Sequence, residues 1–98
     1  MERAAREGEA PEARLRRMRM RAWRRGTKEM DLILGPYADA HLAAMDEGAL
    51  ALFDALLSEN DQDLYRWVAG SQAPPAPLAP LIARIAAEAG PRRGHNGA

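Results

Sequence analysis

The sequence predicts an all-α fold, a compact bundle of about five short helices. Three observations carry that expectation. Apolar residues recur at three- and four-residue spacing in segment after segment from residue 11 to residue 90. No segment alternates apolar and polar residues with a period of two. Finally, 98 residues with 47% hydrophobic content and no cysteine leave room for one small core, held by packing alone.

The elements follow in order. Residues 1–10 lack an apolar period and are expected to form a flexible tail. Pro11-Glu12 resembles a helix start, with Pro in the first turn and an acid beside the positive end of the dipole. Leu15, Met18 and Ala22 then repeat on one face, with Met20 and Trp23 alongside and arginines at most other positions, until Gly26 stops the helix. Thr27 is a cap for the next helix, whose stripe is Met30, Ile33, Leu34 and Tyr37. Gly35-Pro36 interrupts that stripe, and a kink or a break into two short helices is expected there, with Ala38–Met45 as the continuation.

Asp46 caps a third helix, in which Leu50, Phe53, Leu56 and Leu57 form the stripe and Asp54 and Glu59 fall off it. A short fourth helix points Leu64, Tyr65, Trp67 and Val68 inward and ends at Gly70. Residues 73–77 (Ala-Pro-Pro-Ala-Pro) read as an extended linker. Leu78, Leu81, Ile82, Ile85 and Ala89 make a last amphipathic helix, with Pro80 tolerated in its first turn. A single domain over residues 11–90 is thus expected, followed by a flexible tail at 91–98.

Formal net charge is zero, but the charges are unevenly distributed. Residues 1–28 hold ten Lys and Arg against four Glu, a balance of +6, whereas residues 29–70 hold nine acids against Arg66, a balance of −8. That polarity suits docking to a charged partner, although the two halves can partly neutralise each other. No apolar run is long enough to span a bilayer, and the N-terminus lacks the apolar core of a secretory signal, so a cytoplasmic location is expected.

Few residues offer chemistry. There is no glycine-rich phosphate loop, no nucleophile–base pair and no metal cluster, so no catalytic or metal-binding residue is assigned and an enzyme is not expected. His41 stands alone and reads as a surface or boundary side chain. Asn60, Asp61 and Asp63 lack the glycine and terminal glutamate of a calcium loop, and helix capping explains them better. Tyr65 and Trp67 at helical spacing read as core, while Trp23, offset from its stripe, is the more exposed aromatic.

The densest feature is the junction Arg24-Arg25-Gly26-Thr27-Lys28-Glu29-Met30-Asp31. Gly26 as a left-handed cap and Glu29 as a dipole complement would explain part of it. Arg24, Arg25 and Lys28 crowded around Glu29 and Asp31 are more charge than two caps require, and Gly26 permits close approach of another backbone. The alternative working surface is the Arg-rich first helix, as a nucleic-acid binder or as part of a generic helical interaction module. A pI of about 6.7 argues against nucleic acid.

Arg25-Gly26-x-x-Glu29 followed by Asp31, and then Asp61-x-Asp63-Leu64-Tyr65-x-Trp67, resembles the succinate dehydrogenase assembly factor family. The resemblance covers roughly residues 12–88. It implies a helical flavinylation-factor domain that binds the flavoprotein subunit of succinate dehydrogenase, fumarate reductase or both, and promotes covalent attachment of FAD to that subunit. On this view the chain has no cofactor of its own and binds no nucleic acid. It is expected to be monomeric when free and to act in the bacterial cytoplasm. Arg25, Gly26, Glu29 and Asp31 match the flavinylation motif, and Arg24, Lys28 and Trp23 extend the interface. Arg25 and Glu29 are expected to pair with the partner, so that Arg25→Ala or Glu29→Ala abolishes activity without unfolding the bundle.

Overall fold

The structure is a computed structural model describing residues 9–97, with side chains described for residues 9–89. Most of the expected N-terminal tail therefore lies outside the described residues. Among these residues there are five α-helices, two 3-10 turns and no strand. The helices are α1 (Pro11–Trp23), α2 (Lys28–His41), α3 (Glu47–Leu57), α4 (Asp61–Ala69) and α5 (Ala79–Gly97). The 3-10 turns are Leu42–Ala44 and Ala76–Leu78. Helix α5 continues to Gly97, across the stretch that the sequence set apart as a tail.

Local chemistry sets most of the boundaries. Pro11 opens α1, where its fixed φ suits the first turn and its missing N–H leaves no bond unmade. Thr27 Oγ1 accepts from the Met30 N–H at 3.2 Å, and Asp46 Oδ1 from the Ala49 N–H at 2.8 Å. Asn60 Oδ1 accepts from Gln62 and Asp63 at 2.8 and 3.2 Å. Each bond satisfies a backbone donor that the first helical turn leaves orphaned, a gain of about 1 kcal/mol. Gly70 closes α4 with φ of +86°, the one positive φ among the described residues.

Two expectations about backbone are corrected. Gly35-Pro36 neither breaks α2 nor splits it; the helix runs unbroken from Lys28 to His41 with Pro36 inside. The residue before a proline normally avoids helical geometry because its Cβ meets the proline ring, and Gly35 has no Cβ. The linker at 73–77 is also shorter than expected. Ala76 and Pro77 already belong to the second 3-10 turn, which delivers Leu78 into the core at 5% exposure.

The core is built from the stripes. Met18 and Ala22 of α1, Met30 and Leu34 of α2, Phe53 and Leu56 of α3, and Leu64 of α4 are all fully buried. Ile82 and Ile85 of α5 close the core from the other side. Helix α1 packs most extensively against α2, while α5 lies across α2 and α4. Two residues fall on the other side of the boundary from where periodicity placed them. Tyr65 is 36% exposed, because Leu64, Trp67 and Val68 already fill the inward face of the short α4. Asp54 is only 5% exposed, because that flank of α3 faces the arginines of α1.

Candidate functional site

The α1–α2 connection, Arg24 to Thr27, is held from two directions. From α2, Asp31 Oδ1 accepts the Arg25 backbone N–H at 2.6 Å. From α4, Asp61 accepts the Gly26 N–H through one carboxylate oxygen and the Arg25 Nε–H at 2.8 Å through the other. The remaining Arg25 nitrogens donate to the Leu57 and Glu59 carbonyls, each at 2.8 Å. These are carbonyls at the C-terminal end of α3, which no helical N–H is available to satisfy. The Arg25 side chain is 9% exposed. Bonds of a charged donor in such surroundings contribute about 1.5–3 kcal/mol each.

Gly26 has a different reason to be glycine from the one its sequence position suggests. It does not adopt positive φ, and the C-cap of α1 is Arg24. A Cβ at Gly26 would sit 2.8 Å from Asp61 Oδ2. The close approach that glycine permits is therefore that of the Asp61 carboxylate.

What the junction presents outward is a short charged rim. Gly26, Lys28 and Glu29 are exposed, as is Arg24 at the start of the connection. Among the described residues, Glu29, Lys28 and Arg24 have no ion-pair or side-chain hydrogen-bond partner, in contrast to Arg25, Asp31 and Asp61 beside them. Leu32, one turn along α2 from Lys28 and Glu29, is 50% exposed and adds an apolar element to the same face. A rigid rim of unpaired opposite charges beside an exposed leucine is suited to recognising another protein.

Residues 16–89 match a family model described as "Flavinator of succinate dehydrogenase". The chain belongs to that family. It is 36% identical over 62 residues to the FAD assembly factor SdhE of Legionella pneumophila (strain Lens), covering 63% of this chain and 78% of that protein. It is 42% identical over 52 residues to the mitochondrial succinate dehydrogenase assembly factor 2 of Aspergillus flavus, covering 53% of this chain but only 17% of the fungal protein. The corresponding Aspergillus terreus protein is 39% identical over 62 residues, 63% of this chain and 21% of its own length. No solved structure matches the chain.

Within this flavinator domain the expected site residues divide into two groups. Arg25, Gly26 and Asp31 are joined by the pinned loop, whereas Glu29, Lys28 and Arg24 form its outward rim. Trp23 stands apart. Its indole lies over Gly35, where a Cβ would come within 2.3 Å of the ring, and its Nε1–H donates to Asp39 Oδ2 at 3.2 Å. At 38% exposure it is half anchor and half surface. The expectation that Arg25 offers its charge to a partner meets a guanidinium already satisfied inside the chain.

Asp61 was legible only as part of a motif, and helix capping did not reveal its role. Asn60 is the cap of α4, leaving Asp61 free to reach back to the junction. Leu32 carried a weak signal, an apolar residue off the α2 stripe. The charge asymmetry is also largely consumed internally. Arg17 forks onto both Asp54 oxygens at 3.2 and 3.1 Å and holds Glu9 at 2.9 Å; Arg14 holds Glu47 at 2.9 Å and Arg19 holds Asp39 at 3.2 Å. These carboxylates hold the Arg17 guanidinium still more firmly protonated, and Arg17 in turn pulls the Glu9 carboxyl below its usual range.

Proposed function

We propose that this chain docks on the flavoprotein subunit of succinate dehydrogenase and promotes covalent attachment of FAD to it, with the α1–α2 junction as the contact. The observation that carries the reading is the exposed Glu29, without a partner among the described residues, in the first turn of α2 beside a loop pinned by Asp31, Asp61 and Arg25. Family membership and the names of the bacterial and fungal relatives support the choice of client. A pre-ordered loop loses little conformational freedom on docking, so its few contacts translate efficiently into affinity.

The chemistry belongs to the flavin and to the client's acceptor side chain. The chain contributes orientation: it holds the immature flavoprotein in one arrangement, so that attachment proceeds from a prepositioned geometry. In this assignment Glu29 and Lys28 meet the client, Gly26 keeps the loop low enough for close approach, and Arg25 and Asp31 keep its shape. The factor carries no cofactor itself, works as a monomer in the bacterial cytoplasm, and accepts fumarate reductase as a second client. Recognition of nucleic acid by α1 is the weaker reading, because Arg14, Arg17, Arg19 and Arg21 are already engaged by carboxylates.

The deciding experiment is co-expression of the chain, wild type beside Glu29→Ala, with a succinate dehydrogenase flavoprotein subunit from the same cell. Covalent flavin is read by in-gel fluorescence of denatured protein. Flavin attached with the wild type and lost with Glu29→Ala, at unchanged factor level, is the expected result. Equal covalent flavin with wild type, variant or empty vector overturns the reading.

A further inference from the structure

Arg16 and Met20 of α1 and Arg24, its C-cap, follow one another at four-residue intervals, and all three are exposed, Met20 at 47%. They border an open groove of about 600 Å³ whose described lining also includes Arg17, Arg21 and Arg25. Five guanidinium groups border it, yet they are not equivalent. Arg17 and Arg21 are paired with Asp54, and Arg25 with Asp61. Arg16 and Arg24 have no hydrogen-bond or ion-pair partner among the described residues. Among the described residues the groove thus has two unpaired positive ends with an apolar thioether between them.

We infer that this groove is a docking site for an extended acidic segment of a protein partner, of the pattern acid–x–apolar–x–acid. The spacing favours that occupant. Four residues of α-helix rise about 6 Å, so Arg16 and Met20 are stepped at about 6 Å, and Arg24 follows at the C-cap, where the helix ends. Alternate side chains of an extended chain project to the same side about 6.6–6.8 Å apart. One carboxylate then meets each free arginine while the apolar side chain between them covers Met20, whose flexible thioether adapts to different shapes. A diphosphate places its charges on adjacent phosphorus atoms and cannot reach both ends of such a row. A nucleic-acid backbone needs a continuous basic strip, and here the intervening cations are neutralised.

Applied to the proposed client, the inference adds a contact along α1 that adjoins the junction through Arg24, and it rests on that reading only for the partner's identity. A single exposed ion pair is weak, so binding requires both ends together. The junction rim then sets orientation while the groove adds grip and salt sensitivity.

The test uses the full chain and a short dye-labelled peptide centred on Glu-Ser-Leu-Ser-Glu, followed by fluorescence anisotropy at low salt. The expected result is saturable binding that weakens by about tenfold in Arg16→Ala/Arg24→Ala, two lost exposed pairs. Met20→Ser and a peptide with leucine moved by one residue should also bind more weakly, and Arg66→Ala on α4 should bind as wild type. The substituted side chains are exposed, and unchanged circular dichroism checks the fold. No binding by the wild type, or equal binding by the double variant, overturns the inference. So does a single-stranded oligonucleotide that binds more tightly than the peptide and is lost with the same variants. Capture of the flavoprotein subunit separates the two ideas. Peptide binding without capture sinks the assigned client and leaves the groove, whereas capture indifferent to Arg16, the end outside the junction rim, sinks the groove alone.

Discussion

Asp61 and Arg25, 36 residues apart in sequence, form the contact that gives the junction its shape: Asp61 Oδ1 accepts the Arg25 Nε–H at 2.8 Å while its other oxygen takes the Gly26 N–H. One carboxylate thereby ties α4 to both the side chain and the backbone of the α1–α2 loop. The same arginine closes the end of α3 through the Leu57 and Glu59 carbonyls. The arginine of the Arg-Gly-x-x-Glu motif is therefore an internal strut in the free chain, and the glutamate is the exposed member.

This relationship predicts that Arg25→Ala destabilises the bundle, contrary to the sequence-based expectation of a purely functional loss. Removing either partner strands the other at a largely buried position, and a cost of about 2–4 kcal/mol is expected for Arg25→Ala and for Asp61→Ala. The double variant should cost less than the sum, with a coupling of about 1–3 kcal/mol in urea denaturation. Arg25→Lys should not rescue, since one ammonium cannot serve Asp61 and two carbonyls in the planar fork geometry. Strict additivity of the two single variants would show that the contact carries no stability.

Gly35→Ala should also destabilise, against the usual preference of helices for alanine. A Cβ there would come within 2.3–2.6 Å of three Trp23 ring atoms and would restore the clash with the Pro36 ring. The helix-propensity gain of about 1 kcal/mol is outweighed by overpacking, and a net loss of about 1–2 kcal/mol is expected. Thermal denaturation measures the loss, and Trp23 fluorescence should shift as the indole is displaced. A higher Tm for Gly35→Ala would mean that Trp23 moves aside freely.

Acid should loosen the anchoring of α1. Glu9 is held below the ordinary carboxyl value of 4.5 chiefly by its hydrogen bonds to Arg17. The folded pKa is depressed, so the contribution is present above pH 4.5 and is lost as pH falls through the lower, folded value. Glu9→Gln should therefore flatten the fall of Tm on the acid side of pH 4.5 while changing little at alkaline pH. An acid-side profile unchanged by the substitution would remove Glu9 from the account.

Asp54 should be far more costly to remove than Glu9. It is 5% exposed and forked by Arg17, with Arg21 behind at 3.7 Å. Because Arg17 itself is 27% exposed, Asp54→Ala is expected to cost about 2–3 kcal/mol, below the range of about 3–5 for a fully buried pair. Urea denaturation checks it, and a cost under about 0.5 kcal/mol would place the pair with ordinary surface bridges.

The amino-acid sequence alone carries the helical class, the inward stripes of Met30, Ile33, Leu34 and Tyr37 or of Leu81, Ile82 and Ile85, the Thr27 and Asp46 caps and the Gly70 stop. All of these are written in spacings of a few residues, where helix geometry alone dictates which side chains share a face. It also marked Arg25-Gly26-x-x-Glu29 as the candidate site. Only the tertiary structure decided which of those charges is inward and which is outward. Periodicity tells which face of a helix is covered, but not what covers it. Arg25 meets Asp61, Asp54 meets Arg17, and Trp23 meets Gly35 across long sequence separations. Those partners are chosen by how α1 and its following loop pack on α2, α3 and α4, which no local pattern encodes. The same packing neutralises most of the basic helix and leaves Arg16, Arg24 and Glu29 without a partner among the described residues.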